Sequence, residues 1–212
     1  MKAVIFDFDG VIVDTERQRF KAIQQVLKRR DMYLPDSEFK EMEGKKTTFF
    51  LRNEFPHLKD KEIEKIAEER REEEYNHLDH VKILNGVRKV FEFLKKKRKT
   101  IAVCSGSQRK IVKSLLNMHG LSKYVKVLVT GEDFEASKPH PESYIVTLKK
   151  LRMQGEDVIV IEDAPAGIEA ANIAGCVTFG LETYSTAKQF IGADKSFKNH
   201  SYLLKHLKSL LG

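Results

Sequence analysis

The sequence contains no tryptophan, only two cysteines and no long hydrophobic run. Cys104 and Cys176 cannot form a disulfide framework or, by themselves, a four-ligand zinc site. No stretch approaches the ~18 to 20 apolar residues that a membrane span requires. Ala3-Val4-Ile5-Phe6 is a four-residue apolar run ending at a charge, too short for a signal-peptide core. These absences exclude a membrane protein and a secreted disulfide scaffold, and a soluble cytoplasmic protein is expected. What is present can build a core: 41% hydrophobic residues, including 13 phenylalanines, exclude a disordered tail. At 212 residues the chain suits one globular domain, or one domain carrying an insertion.

Charge is abundant. Asp, Glu, Lys and Arg make up 33% of the chain, against about 25% in an average domain. Lys and Arg total 38 against 31 acidic residues, leaving +7. Much of the excess lies in Lys28-Arg29-Arg30, Lys95-Lys96-Lys97-Arg98-Lys99 and Lys149-Lys150. Each run closes an apolar-periodic segment, where cations complement the negative end of a helix dipole. Abundant Glu and Lys with little Cys also resembles the composition of heat-adapted proteins. A nucleic-acid surface would need a reading motif or interleaved aromatics, and the sequence has neither. The basic runs therefore read as solvated faces, with no specific nucleic-acid partner.

Two regions follow different rules. Residues 2–7 form a short apolar run ending at an aspartate, which predicts a buried strand. Similar runs recur at 100–104, 125–129, 158–161 and 176–179, with a last strand near 194–197. Helical patterns lie between them at 86–98, 107–118, 141–152 and 165–174, and about 200–211 closes the chain. This alternation predicts an α/β fold built on a Rossmann-like parallel sheet. Residues 15–80 break the pattern, with helices expected at about 16–30, 36–43, 46–54 and 59–78. The second is opened by an Asp36-Ser37 cap signal after Pro35. An all-helical domain, 15–80, is thus expected as an insertion in a core made of 1–14 and 81–212.

Active sites of open α/β sheets form beyond the carboxyl ends of the strands. Asp7-Phe8-Asp9-Gly10 follows the first strand, Ser105-Gly106-Ser107 the second, a loop bearing Lys138-Pro139 the third, and Glu162-Asp163 the fourth. Asp7 and Asp163 can share a divalent cation, because Mg²⁺ takes oxygen ligands. Asp9 faces the same side as Asp7 if the strand is still extended there. Ser105, with the backbone N–H groups of Gly106 and Ser107 at a helix start, offers an anion cradle, and Lys138 adds positive charge. Metal, cradle, lysine and spare carboxylate are the parts that phosphoryl transfer to an aspartate needs. Singly, each fragment is an ordinary turn or cap; their ordered placement at four strand ends is what points to chemistry.

With those motifs in place, the sequence resembles the haloacid dehalogenase superfamily, in its β-phosphoglucomutase-like and phosphoglycolate phosphatase-like branch with a helical cap. The resemblance rests on Asp7-Phe8-Asp9-Gly10-Val11 with Asp14-Thr15-Glu16, then Ser105, then Lys138-Pro139-His140-Pro141-Glu142-Ser143-Tyr144. It continues through Glu162-Asp163-Ala164-Pro165-Ala166-Gly167 to Ala174-Gly175, nearly the whole chain. It implies that Asp7 is the nucleophile and Asp9 the general acid and base. It also implies that Asp7, the backbone carbonyl of Asp9 and Asp163 bind Mg²⁺, with Glu162 a direct or indirect ligand. By the same resemblance Ser105, Gly106, Ser107 and Lys138 would hold the phosphoryl group. Cap closure would exclude water and favour protonation of Asp9. The implied substrate is a small phosphorylated metabolite, and the implied state a monomer.

Two departures favour a phosphatase over a sugar-phosphate mutase. The mutases of this branch carry Asp-Thr-x-x-x-His, and the histidine position is Arg19 here. They also carry an arginine three residues after a cap glycine, and counted from Gly44 that position is Thr47, with Lys45 and Lys46 nearby. A flexible ammonium does not reproduce a bidentate guanidinium clamp. A non-catalytic basic binding protein is the third alternative, disfavoured by intact carboxylates. His77, His80 and His140 are scattered and read as surface or supporting residues, and Cys104 as a buried structural thiol. The sequence alone does not decide whether the 183–186 loop reaches the rim.

Overall fold

The computed structural model describes residues 1–42 and 47–212. In chain order the elements are β1 (Ala3–Phe6), α1 (Glu16–Lys28), α2 (Phe39–Met42), α3 (Thr47–Glu54), α4 (Asp60–Asn76) and α5 (Val87–Lys96). They continue as β2 (Thr100–Cys104), α6 (Arg109–Met118), β3 (Val125–Val129), α7 (Glu142–Leu151) and β4 (Val158–Glu162). The last are α8 (Pro165–Ile173), β5 (Val177–Leu181), β6 (Lys195–Phe197) and α9 (His200–Leu211). The chain divides into two compact units, Met1–Val13 with Ile83–Gly212, and Asp14–Lys82.

The first unit is an α/β sheet of six strands in the order β3-β2-β1-β4-β5-β6, every neighbouring pair parallel. All four side chains of β1 are buried, as a strand covered on both faces requires. In register, Phe6 lies between Val103 of β2 and Ile161 of β4. The residues that follow those positions therefore emerge together at one rim. β1 is also where the strand order reverses, the place where open α/β sheets form a ligand crevice. Below the rim, Ile5, Ala102, Cys104, Val160, Ala170 and Tyr144 belong to one apolar cluster.

The helical unit has its own core. Phe20, Ile23 and Leu27 of α1 meet Ile63 and Ile66 of α4, with Phe50 and Leu51 of α3 and Met42 of α2 completing the cluster. The spacing of those residues is that of one helix face. The expected helix at 36–43 differs: Asp36–Glu38 is a 3₁₀ turn, and four α-helical residues follow. Asp36 does not cap it; its carboxylate accepts a hydrogen bond from Gln24 Nε2 at 2.9 Å, and Pro35 stands at the start of the turn. Gly44, Lys45 and Lys46 lie outside the described residues.

Candidate active site

The first catalytic candidate sits just past β1. Asp7 N–H donates to the Ile161 carbonyl at 3.0 Å, fixing the backbone there, and the side chain is nearly buried at the rim. The chain does not stay extended to Asp9, as the sequence pattern allowed. Ile12 and Val13 N–H groups both return to the Phe8 carbonyl, and Gly10 N–H donates to Val13. This tight loop requires a left-handed residue at Gly10, with φ of 76°. A Cβ at Gly10 would also overlap the Asp163 carboxylate, so two independent constraints select glycine. The turn still delivers Asp9 to the rim, where its Oδ2 accepts from Ser105 Oγ at 3.1 Å and Ser107 Oγ at 2.8 Å.

The cradle after β2 is built differently from the sequence expectation. Ser107 N–H donates to Ser105 Oγ at 2.9 Å, so one of the two proposed backbone donors is already occupied. Helix α6 begins only at Arg109, after Gln108, so the Ser105–Ser107 segment precedes the helix. Gly106 retains open space around its Cα, and its N–H has no partner among the described residues. Ser105 itself is held by its own N–H, which donates to the Val129 carbonyl at 3.0 Å.

The remaining groups converge around one lysine. Lys138 Nζ donates to Asp7 Oδ1 at 2.5 Å and to Glu162 Oε1 at 2.6 Å. Glu162, at the end of β4, is buried, and its Oε2 accepts from the N–H groups of Asp163 at 3.0 Å and Ala164 at 3.3 Å. Asp163 is almost as buried, yet among the described residues its carboxylate accepts no hydrogen bond. Oxygens of Asp7, Glu162 and Asp163 lie within 4.8 Å of one another.

Three buried carboxylates against one ammonium leave a surplus of negative charge. Burial pushes the Asp7 carboxyl up to about 8, against the pull of Lys138 and with added repulsion from Glu162 and Asp9. Burial, then Glu162 and Asp7, raise Asp163 well above the usual carboxylate range. Burial would lower Lys138, but Asp7 and Glu162 outweigh it and hold the ammonium charged. An unpartnered buried carboxylate beside a second anion is costly unless a cation joins it. The donor set is all oxygen, which suits a hard divalent cation. The residues present thus fit a divalent metal.

All eight residues singled out from sequence, Asp7, Asp9, Ser105, Gly106, Ser107, Lys138, Glu162 and Asp163, belong to the α/β unit and lie at or beyond the carboxyl ends of its strands. Two further residues were not assigned roles from sequence. Tyr144 is fully buried and its hydroxyl donates to Glu162 Oε1 at 2.6 Å. Tyr184 brings the 183–186 loop beside Gly10, close to where a Cβ there would stand. Its only sequence signal was a polar loop after β5. The histidines do not join the site: His77 bonds the Glu73 carbonyl, and His140 Nδ1 faces the Glu142 N–H. Cys104 is buried, with its thiol pushed up by burial, as an inert core thiol should be.

Comparison with known proteins points the same way. A family model described as haloacid dehalogenase-like hydrolase matches residues 4–181. The chain is 34% identical to the phosphorylated carbohydrates phosphatase of Thermotoga maritima over 188 residues, 82% of each chain. It is 29% identical to the phosphoglycolate phosphatase of Aquifex aeolicus over 181 residues, 84% of this chain and 83% of the other. The crystal structure of a β-phosphoglucomutase from Clostridium difficile shares the fold, with a TM-score of 0.80 at 24% identity, over 100% of this chain and 97% of that one.

Proposed function

This chain belongs to the haloacid dehalogenase-like hydrolases, and from that premise we propose that it is a Mg²⁺-dependent phosphatase of small phosphate monoesters. The observation that carries the reading is the convergence of Asp7, Lys138, Glu162 and Asp163 beside the Ser105–Gly106 cradle. In this reading Lys138, Ser105 and the Gly106 N–H hold the phosphoryl oxygens. The Asp7 oxygen not bound to Lys138 attacks phosphorus, forming the aspartyl-phosphate as the ester P–O bond breaks. Asp9 gives its proton to the departing alkoxide. The Asp9 carboxylate then takes a proton from water, whose oxygen attacks phosphorus. The Asp7–phosphorus bond breaks and inorganic phosphate leaves. Mg²⁺, held by Asp7, the Asp9 carbonyl and Asp163 with Glu162 beside them, would neutralise charge on the transferring group.

Residues 15–80 are read as the cap domain, and 1–14 with 81–212 as the core. The phosphatase names of the relatives support hydrolysis over mutase chemistry. So does Arg19, which stands where the mutases carry a histidine and pairs with Glu16 instead. The rest of the reading is a cytoplasmic monomer without a nucleic-acid or membrane partner. Pairing of Arg29 with Glu73 and of Arg30 with Glu69 favours a structural role for that basic run. Among the described residues, no helix is long and apolar enough to cross a membrane.

The test is a panel of monoesters, including phosphoglycolate, hexose phosphates and nucleotides, assayed for phosphate release with Mg²⁺ and with EDTA. Release from several monoesters that stops in chelator is expected. Interconversion of β-glucose 1-phosphate and glucose 6-phosphate without phosphate release would establish the mutase instead. Inertness across the panel would favour the binding-protein alternative.

A further inference from the structure

Tyr144 stands in the first turn of helix α7, which carries this side chain into the floor of the site. The ring is fully buried in the apolar cluster beneath the sheet rim, and only its hydroxyl reaches a polar group. That group is Glu162 Oε1, at 2.6 Å. Lys138 Nζ donates to the same oxygen, also at 2.6 Å, while its ammonium stands 4.9 Å from the centroid of the Tyr144 ring. The other Glu162 oxygen is taken by the N–H groups of Asp163 and Ala164. A carboxylate offers about four lone-pair sites, and four donors already point at this one. Gly167 is what makes room for this carboxylate, since a Cβ there would overlap it.

The three acidic groups are therefore not equivalent. Asp163 accepts no hydrogen bond among the described residues, and Asp7 has one oxygen engaged by Lys138. Glu162 alone is saturated. For it to ligate a cation it must first release a donor, and Tyr144 and Lys138 share one of its two oxygens, Oε1.

We propose that Tyr144 is a positioning residue, whose hydroxyl holds Glu162 as the anchor of Lys138 and keeps that carboxylate off the cation. The proposal rests on the phosphatase reading and deepens it. The tyrosine ring face stabilises the ammonium, and the hydroxyl shares the Glu162 charge. Lys138 is thereby left able to lean toward Asp7 and an incoming phosphoryl group. Without the hydroxyl, Lys138 becomes the sole donor to Glu162 Oε1 from this side and is drawn toward it. One lone pair of that oxygen is freed at the same time.

Tyr144→Phe tests this directly, because it keeps the ring, its packing and the cation–π contact and removes one oxygen. Two dissociation constants are measured by calorimetry without turnover: inorganic phosphate in the presence of Mg²⁺, and Mg²⁺ alone. Phosphate binding is expected to weaken about 5- to 10-fold and Mg²⁺ binding to tighten about 3-fold or more, with KM raised more than kcat is lowered. A purely structural tyrosine would move both constants the same way or neither, and either result overturns the proposal, whatever happens to Tm. Glu162→Gln provides a second route should Tyr144→Phe fold poorly. It removes the anionic anchor of Lys138 and is expected to weaken phosphate binding at least as much, whereas an unchanged constant would overturn the proposal. Phosphate release by the unaltered enzyme is measured alongside. Its absence would refute the phosphatase reading, while the two binding constants would still decide the role of Tyr144.

Discussion

The two units handle buried charge in opposite ways. In the helical unit, several acidic groups that are buried or half-buried are matched by an arginine: Glu16 with Arg19, Glu74 with Arg70, Glu69 with Arg30, and Glu73 with the exposed Arg29. At the rim of the α/β unit, Lys138 faces Asp7 and Glu162, and Asp163 is left over. A matched pair offsets its own desolvation and asks for nothing else. A surplus of buried carboxylates must take up protons or recruit a further cation, so it marks a site rather than a strut. The difference teaches that charge balance, more than the number of ionised groups, separates scaffold from chemistry.

The largest expected effect probes the surplus at its centre. Asp7→Asn keeps the shape and removes the attacking charge, so phosphate release should fall by about four orders of magnitude or more, with the circular-dichroism spectrum retained. Near-normal turnover would refute covalent catalysis at Asp7.

Next comes Lys138. Lys138→Met leaves Asp7 and Glu162 without it and should cost about 3 kcal/mol at pH 8 in urea unfolding. At pH 5 the cost should be smaller, because Asp7 can take up a proton. The matched pairs should behave otherwise: Arg70→Met alone destabilises, but Arg70→Met with Glu74→Leu should return to within about 1 kcal/mol of the parent. Failure of that recovery would break the comparison.

Proton linkage gives a third, smaller effect. Asp7 is raised from 3.8 to about 8 on folding, so the folded state binds the extra proton between those values. Metal-free protein should therefore lose stability as pH rises from about 4 to 8. Added Mg²⁺ should raise Tm more at pH 8 than at pH 5, since it competes with that proton. Asp163→Asn should raise the metal-free Tm by about 2 to 6 °C, because it removes a buried carboxyl that is costly to ionise. It should also abolish most of the Mg²⁺-induced shift. The smallest effect belongs to an exposed pair: Arg52→Ala, which frees Asp60, should change stability by less than about 0.5 kcal/mol.

Legibility in the sequence followed the range of the interactions involved. The strand at 100–104 and the one at 125–129 could be bounded to the residue, because short, largely apolar runs are local signals. The four strand-end motifs were visible for the same reason. The helix expected at 36–43 opens as a 3₁₀ turn and without the Asp36 cap, whose carboxylate takes a hydrogen bond from Gln24, twelve residues away. Extended backbone to Asp9 was an open possibility from sequence; the Gly10 turn forecloses it. Tyr144 stood inside a quoted motif without a role, since nothing nearby in the chain announces a bond to Glu162, eighteen residues on.

The sequence by itself determined the alternation of strands and helices, the helical stretch after β1 and the kinds of group carried at each strand end. Those depend on periodicity and composition, which act over a few residues. Only the tertiary structure decided which carboxylate is saturated and which is bare, that Ser107 N–H is already bonded to Ser105, and that Tyr184 comes up beside Gly10. Such facts depend on strand order and register. A parallel sheet brings together residues more than a hundred positions apart, and a carboxylate's partners are fixed by that meeting and not by its neighbours in the chain.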